Sequence, residues 1–360
     1  MAIGVHTVSA QSLCEARSRS YYPADWLRPS TGLITRAVRF CRQAARPFLT
    51  TVASNGILAE GRVLGGDVKP FLEAIRQGEL LVFDGAMGTQ LEERGLHPGP
   101  ELNVEAPEIV KEVHRSYVEA GADVLLTNTL MANRLSLERS GEADKAEWYC
   151  AAGVRICREA AAGRAYVAGD MSSTGQLLAP YGDYSEEQFY EVFAEQAASL
   201  ERAGAGLLII ETMPDLAEAV VAIRACKSAT SLPVVACMAF DPGAAGPRTM
   251  MGNDVESCAR GMDGAGADAI GANCGAITPE QMAEIIAQMR PLTGKPLIAQ
   301  PNAGVPELVD GRARFSLAAE AFAAGAVQCV EAGARLIGGC CGTTPAHIVG
   351  LRRALAALGK

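Results

Sequence analysis

"PEIVKEVHRSYVEAGADVLLTN", Pro107 to Asn128, contains one complete structural unit. A stretch of amphipathic helical period runs from Pro107 into Ala-Gly-Ala, and a short apolar run follows at once. The tripeptide suits a helix C-cap, because glycine takes left-handed backbone at no steric cost. It recurs just ahead of the apolar runs near Asp123, Leu207, Asp268 and Arg335. Helix, glycine cap and strand therefore form a unit that the chain repeats. "EEQFYEVFAEQAASLERAGA", which ends at Ala205, is a second helix of the same kind.

The strand-length runs past Lys69 are "LLVFDG" (Leu80 to Gly85), "DVLLTN" (Asp123 to Asn128), "AYVAGDM" (Ala165 to Met171) and "LLIIET" (Leu207 to Thr212). "PVVACMAF" (Pro233 to Phe240), "DAIGANC" (Asp268 to Cys274), "PLIAQPN" (Pro296 to Asn302) and "RLIGGCC" (Arg335 to Cys341) complete the set. Eight continuous apolar strands alternating with helices predict a parallel sheet covered on both faces, and the number favours a closed α/β barrel of the (β/α)8 TIM type. A doubly wound open sheet is the alternative, but in "GAGLLII" (Gly204 to Ile210) the glycines precede a strand and do not follow one. The barrel is expected over residues 69–360, behind an irregular N-terminal extension, residues 1–68.

That extension differs in composition. Between Arg17 and Arg46 it holds seven arginines, no lysine and only Asp25 as an acid, and Pro23 and Pro29 interrupt any helical period. Arg-rich, acid-poor sequence is the composition of an organellar presequence, and the simpler reading is a dispensable extension. A net charge of −9 over 360 residues argues against a nucleic-acid binder or an anionic-membrane binder, both of which want a basic face. No apolar run reaches transmembrane length. The eleven cysteines are scattered and odd in number, unlike a secreted disulfide scaffold, so a reducing, cytoplasmic compartment is expected.

Chemistry on a barrel sits on the loops at the C-terminal ends of the strands. Asp84 and Gly85, Thr127 and Asn128, Asp170, Glu211, Cys274, Asn302, and Cys340 with Cys341 all fall there. Adjacent cysteines make a poor structural bridge. In "LIGGCCGTTPAHI" (Leu336 to Ile348) Gly338, Gly339 and Gly342 allow the pair to leave strand geometry. Cys274, two strands away, can meet Cys340 and Cys341 across part of the mouth. Three thiolates with a fourth position open are the donor set of a catalytic zinc site, and the other eight cysteines read as small buried hydrophobes. Such a site suits a thiol substrate, because zinc deprotonates a coordinated thiol at neutral pH. "FDGAMGT" adds a glycine-rich turn whose N–H groups suit a carboxylate, although the same motif also serves as an ordinary strand-to-helix turn. Asp84 and Glu211 suit an ammonium group. Together these features describe an amino acid that carries a thiol.

"DGAMGT", "GADVLLTNT", "LLIIET", "GANCG" and "GGCCGTTP" resemble, in order and spacing, the homocysteine-binding barrel of the homocysteine S-methyltransferases. That family includes the N-terminal module of cobalamin-dependent methionine synthase. The resemblance runs from about Pro70 to the C-terminus. It implies a zinc-dependent thiol methyltransferase with Cys274, Cys340 and Cys341 as zinc ligands. It further implies homocysteine contacts from Asp84, from the backbone of Gly85 and Ala86, and from Glu211, with Asn302 near the metal. The betaine-dependent branch has a tyrosine shortly after the second strand where this chain has Met131, and a long C-terminal arm that is missing here, which argues against betaine as donor.

The donor favoured by the resemblance is a methyl-corrinoid carried on a separate protein. The corrinoid signature Asp-x-His-x-x-Gly has no full match, since "PAHIVG" places Pro345 at the Asp position and His347 belongs to the first turn of the last helix. S-methylmethionine or S-adenosylmethionine is the alternative donor. Two further readings stay open at this point: a non-catalytic zinc- or thiol-binding barrel, and a redox protein using Cys340 and Cys341 as a switch.

Overall fold

The apolar runs become strands and the Ala/Glu-rich stretches become helices in the computed structural model, which describes residues 70–309 and 312–359. The strands are β1 (Leu81–Val82), β2 (Val124–Leu126), β3 (Tyr166–Met171), β4 (Leu207–Met213), β5 (Val234–Met238), β6 (Ala269–Asn273), β7 (Leu297–Gln300), β8 (Glu307–Val309), β9 (Arg312–Arg314) and β10 (Ala334–Ile337). The helices up to β4 are α1 (Phe71–Arg76), α2 (Gly88–Glu93), α3 (Leu102–Glu105), α4 (Pro107–Glu119), α5 (Arg134–Glu138), α6 (Ala146–Ala161) and α7 (Glu186–Ala203). After β4 come α8 (Leu216–Ala229), α9 (Val255–Ala265), α10 (Pro279–Met289), α11 (Ala319–Glu331) and α12 (Pro345–Ala357).

Eight of these strands form one all-parallel sheet in the order β1-β10-β7-β6-β5-β4-β3-β2. Its two edges meet. Phe83 bridges Val124 in parallel, and the Asp84 N–H donates to the Val124 carbonyl at 2.9 Å. The sheet is a closed barrel, as the repeated units predict.

Strand alternation then divides the core in two. Leu81, Phe83, Val124, Ala168, Leu207, Ile209, Val235, Cys237, Ala269, Ile298 and Leu336 form a cluster inside the barrel. Their neighbours Val82, Leu125, Val167, Leu208, Ala236, Ile270, Leu297 and Ile337 pack outward in the larger cluster shared with the helices. Both strand faces are buried, which is why each strand reads as a continuous apolar run. The glycines of the four Ala-Gly-Ala caps, Gly121, Gly204, Gly266 and Gly333, have φ of +97°, +97°, +98° and +117°. A β-carbon is disfavoured in that region, so the tripeptide marks where each helix must stop.

Helix α1 closes the N-terminal end of the barrel. Its Phe71, Ala74 and Ile75 belong to the interior cluster, and the Phe71 ring meets Tyr166, the first residue of β3, edge-on at 5.6 Å. The opposite end is left as the mouth. The antiparallel hairpin of β8 and β9 between β7 and α11 is an addition that the eight-unit pattern does not contain. Among the described residues no helix is long and apolar enough to cross a membrane. Residues 1–68, where the extension is expected, lie outside the described residues.

Candidate active site

Each of the three strand-end cysteines is fixed by its backbone. Cys274 follows β6 with φ +56°, donates its N–H to the Gln300 carbonyl at 3.2 Å, and precedes Gly275 at φ +77°. The "GGCC" segment is held between two strand ends. The Gly339 N–H donates to the Asp84 carbonyl at 2.9 Å, the Cys340 N–H to the Pro301 carbonyl at 2.9 Å, and the Cys341 carbonyl accepts from the Ala303 N–H at 2.9 Å. A β-carbon on Gly339 would lie 2.5 Å from Thr343 Oγ1, so that glycine is required by close packing; Gly342, at φ +76°, is required by conformation.

The result is that all three sulfurs lie within 4.8 Å of one another. The Sγ atoms of Cys274 and Cys341 are 3.8 Å apart. A tetrahedral zinc with Zn–S bonds near 2.3 Å has S···S edges of about 3.8 Å, so the spacing fits that ion. Among the described residues no fourth histidine, cysteine, aspartate or glutamate joins the group. The thiols organise one another. Hydrogen bonds from Cys340 and Cys341 hold the Cys274 thiol well below its usual range, while the same contacts with Cys274 push the two donors up.

Next to the thiols are three buried carboxyl groups. Asp84 Oδ2 accepts from the Leu126 N–H at 3.0 Å, whereas its Oδ1 has no partner. Asp170 Oδ1 and Glu211 Oε2 are likewise buried and unpartnered. All three lie below 9% exposed, and none has an ion-pair partner among the described residues. Burial pushes Asp84 and Asp170 well above the usual carboxylate range, and the charge of Glu211 adds to both. Glu211 is raised to about 8 by burial and then by the charge of Cys274. Gln300 Oε1 and Asn302 Oδ1 are also buried without partners. When the carboxyl groups are ionised every one of these unsatisfied atoms is an acceptor, so the group that satisfies them is a donor, and a cation suits the carboxylates best.

Most residues predicted from sequence converge here. Asn302 donates through Nδ2 to the Gly275 carbonyl at 2.8 Å, and its side chain lies against Cys274. The turn after β1 differs from the expected anion pocket: the Ala86 N–H donates to Thr343 Oγ1 at 3.0 Å and is already committed inside the protein. Gly85 packs so closely on Thr343 Oγ1 and the Tyr117 ring that a β-carbon would sit 2.6 and 2.9 Å away. His347 caps α12, with Nδ1 3.1 Å from the Thr344 N–H and Nε2 2.9 Å from the Leu317 carbonyl. Asp170, Gln300 and Asn273 were not assigned a role from sequence. A signal for Asp170 was available: it stands two residues beyond Ala168, which faces the barrel interior. A cavity of about 500 Å³ on the outer wall, lined by Asn133, Arg134, Gln196 and Arg202 among others, shares no residue with this cluster.

Residues 81–355 match the family model described as "Homocysteine S-methyltransferase". The chain belongs to that family. It is 31% identical over 309 residues to "Homocysteine S-methyltransferase 1" of Zea mays, covering 76% of this chain and 93% of the relative. It is also 31% identical over 290 residues to "Methionine synthase" of Mycobacterium tuberculosis, covering 75% of this chain but only 24% of that much longer protein. Among solved structures, the metallated form of the Escherichia coli homocysteine methyltransferase MmuM superposes with a TM-score of 0.64 at 28% identity, covering 79% of this chain and 99% of MmuM. As a member of the homocysteine S-methyltransferase family, the chain carries a three-cysteine candidate metal site at the mouth of its barrel.

Proposed function

We propose that this chain transfers a methyl group to the sulfur of homocysteine, giving methionine, with one zinc ion held by Cys274, Cys340 and Cys341. The observation that carries the reading is one mouth holding both parts: three thiols within 4.8 Å of one another, and three buried carboxyl groups without an ion-pair partner among the described residues. When bound, zinc supplies a Lewis acid that deprotonates a thiol at its open position near neutral pH. The protein's own residues supply the rest. Asp84, Asp170 and Glu211 take the substrate ammonium, the Gly85 backbone N–H faces the carboxylate, and Asn302 holds the Gly275 turn against Cys274.

This assignment sets the direction of the proton traffic. Burial penalises the charge on all three carboxyl groups while the pocket is empty and so favours their protons, with Glu211 raised to about 8. An arriving ammonium replaces those protons as the compensating charge. The substrate thiol loses its own proton to solvent, and its sulfur bonds to the methyl carbon as the bond from that carbon to the donor breaks, the demethylated donor leaving with the electron pair.

For the donor we keep a methyl-corrinoid on a separate protein, which the forms of "DGAMGT" and "GGCCGTTP" favour. The likeness to MmuM and the maize enzyme favours a small sulfonium such as S-methylmethionine or S-adenosylmethionine as the second reading. Methionine formation by zinc-loaded protein and homocysteine decides between them, with methylcobalamin, free or on a carrier protein, set against each sulfonium. Turnover with a sulfonium and none with either corrinoid form overturns the corrinoid reading. No methionine from any donor, with homocysteine bound, leaves a non-catalytic barrel. We assign the activity to residues 69–360, with residues 1–68 dispensable, and a cytoplasmic location, which suits a chain whose described cysteines are all free thiols.

A further inference from the structure

The β4 strand breaks its register at the active site. Ile210 pairs with Ala236 and Met213 with Met238, so β4 uses one more residue than β5 over the same interval. The extra residue falls at Glu211 and Thr212, and Thr212 has φ +58°, a conformation that a β-branched side chain adopts only under constraint. A bulge leaves a backbone group without its ladder partner. Here Asn273, the last residue of β6, supplies that partner from two strands away.

Its carboxamide fits the bulge at two points. Asn273 Oδ1 accepts from the Thr212 N–H at 2.7 Å, and Nδ2 donates to Thr212 Oγ1 at 2.8 Å. The same Nδ2 also faces Cys340 Sγ at 3.6 Å. Asn273 is fully buried, so water competes for none of these contacts. On the far side of the bulge, Ser172 Oγ donates to the Glu211 carbonyl at 2.7 Å. One side chain therefore touches both the turn that ends in Glu211 and one of the three clustered sulfurs.

We propose that Asn273 is a positioning residue that sets Cys340 and Glu211 relative to each other, an inference that rests on the functional reading above. Its carboxamide keeps Thr212 in the left-handed conformation that carries Glu211 at the mouth, and it donates to the Cys340 sulfur from outside the thiol cluster. Outer hydrogen bonds of this kind tune both the orientation and the basicity of a metal ligand.

Two equilibrium measurements on the full chain test this: zinc affinity by chelator competition, and homocysteine affinity of the zinc-saturated protein by calorimetry. Asn273→Ala should weaken zinc roughly 10- to 100-fold, the range for lost outer-shell partners, and should weaken homocysteine as well. In a Thr212→Gly background the left-handed turn no longer needs holding. There the homocysteine effect of Asn273→Ala should largely disappear while the zinc effect persists, a split that general destabilisation does not produce. Asn273→Leu keeps the volume of the carboxamide and loses the donor to sulfur without adding a charge, so it should weaken zinc even if the alanine variant fails to fold. Zinc affinity matching wild type in Asn273→Leu overturns the proposal, and so does an Asn273→Ala protein that binds both ligands as wild type does. In either case a wild type that binds zinc and homocysteine leaves the methyltransferase reading standing; a wild type that binds no zinc removes both.

Discussion

Replacing Glu218 with glutamine should stabilise the protein at pH 8 and leave its stability nearly unchanged at pH 4. Glu218 lies in the first turn of α8, is 2% exposed, and anchors the loop that follows β3. Its Oε1 accepts from the Thr174 N–H at 2.8 Å and from Thr174 Oγ1 at 2.9 Å, and its Oε2 accepts from Ser173 Oγ at 2.8 Å. Burial outweighs these three bonds and lifts the carboxyl from 4.5 to about 7, with the charge of Asp215 adding to the rise. The folded-state pKa is therefore above the unfolded one. Below about pH 4.5 the group is protonated in both states and costs nothing. Between 4.5 and 7 the unfolded chain ionises while the folded protein keeps its proton, so stability falls as pH rises and levels off above 7. A rise of about 2.5 pH units at 1.36 kcal/mol each is a loss of about 3 kcal/mol. Glutamine avoids that loss and keeps the contacts, since its oxygen can serve Thr174 and its nitrogen can donate to Ser173 Oγ, whose hydroxyl turns to accept. Urea unfolding of wild type and Glu218→Gln at pH 4 and pH 8 measures the difference, in which the pH effects of every other group cancel. A stability gap that is the same at both pH values would refute the reasoning.

Cys274→Ala, Cys340→Ala and Cys341→Ala should each abolish binding at micromolar zinc while leaving the far-ultraviolet circular dichroism of the barrel intact, because the ligands lie at strand ends; full zinc stoichiometry in any one of them sinks the three-cysteine assignment. Asp170→Asn and Glu211→Gln should weaken homocysteine roughly 10- to 100-fold, the value of a hydrogen bond to a charged group, with zinc stoichiometry kept; calorimetry showing unchanged affinity removes the residue from the ammonium site. Homocysteine binding should release protons to the buffer near pH 7, where Glu211, raised to about 8, still holds its proton and gives it up to the arriving ammonium in addition to the proton lost by the thiol; calorimetry in buffers of different ionisation enthalpy reads the number. Deleting residues up to about Gly66 should leave zinc content and methionine formation intact, and a soluble, zinc-loaded but inactive truncation would show that the extension is needed.

The barrel was legible because its signals are local. Each strand is buried on both faces and reads as an apolar run, and each Ala-Gly-Ala marks a left-handed cap whatever lies around it. The three cysteines were legible for a related reason: a strand order that follows the chain brings the ends of β6 and β10 to the same mouth. Asp170 was visible as a strand-end residue and nothing more, since aspartate at that place is also an ordinary turn former. Its role as a third carboxyl group depends on three strands delivering unpaired oxygens into one dry layer. The Ala86 N–H looked available in "DGAMGT" until Thr343, more than two hundred residues later, was found to occupy it.

Continuous apolar runs between amphipathic helices, and glycine caps, all properties of consecutive residues, were enough to determine the eight-unit barrel and the strand ends that bear thiols. Only the tertiary structure decided which polar atoms stay unsatisfied, that β4 carries its extra residue beside Glu211, and that Asn273 closes the resulting gap. The physical reason is that hydrogen-bond satisfaction and burial belong to neighbours brought together by closure of the barrel, which no stretch of consecutive residues records.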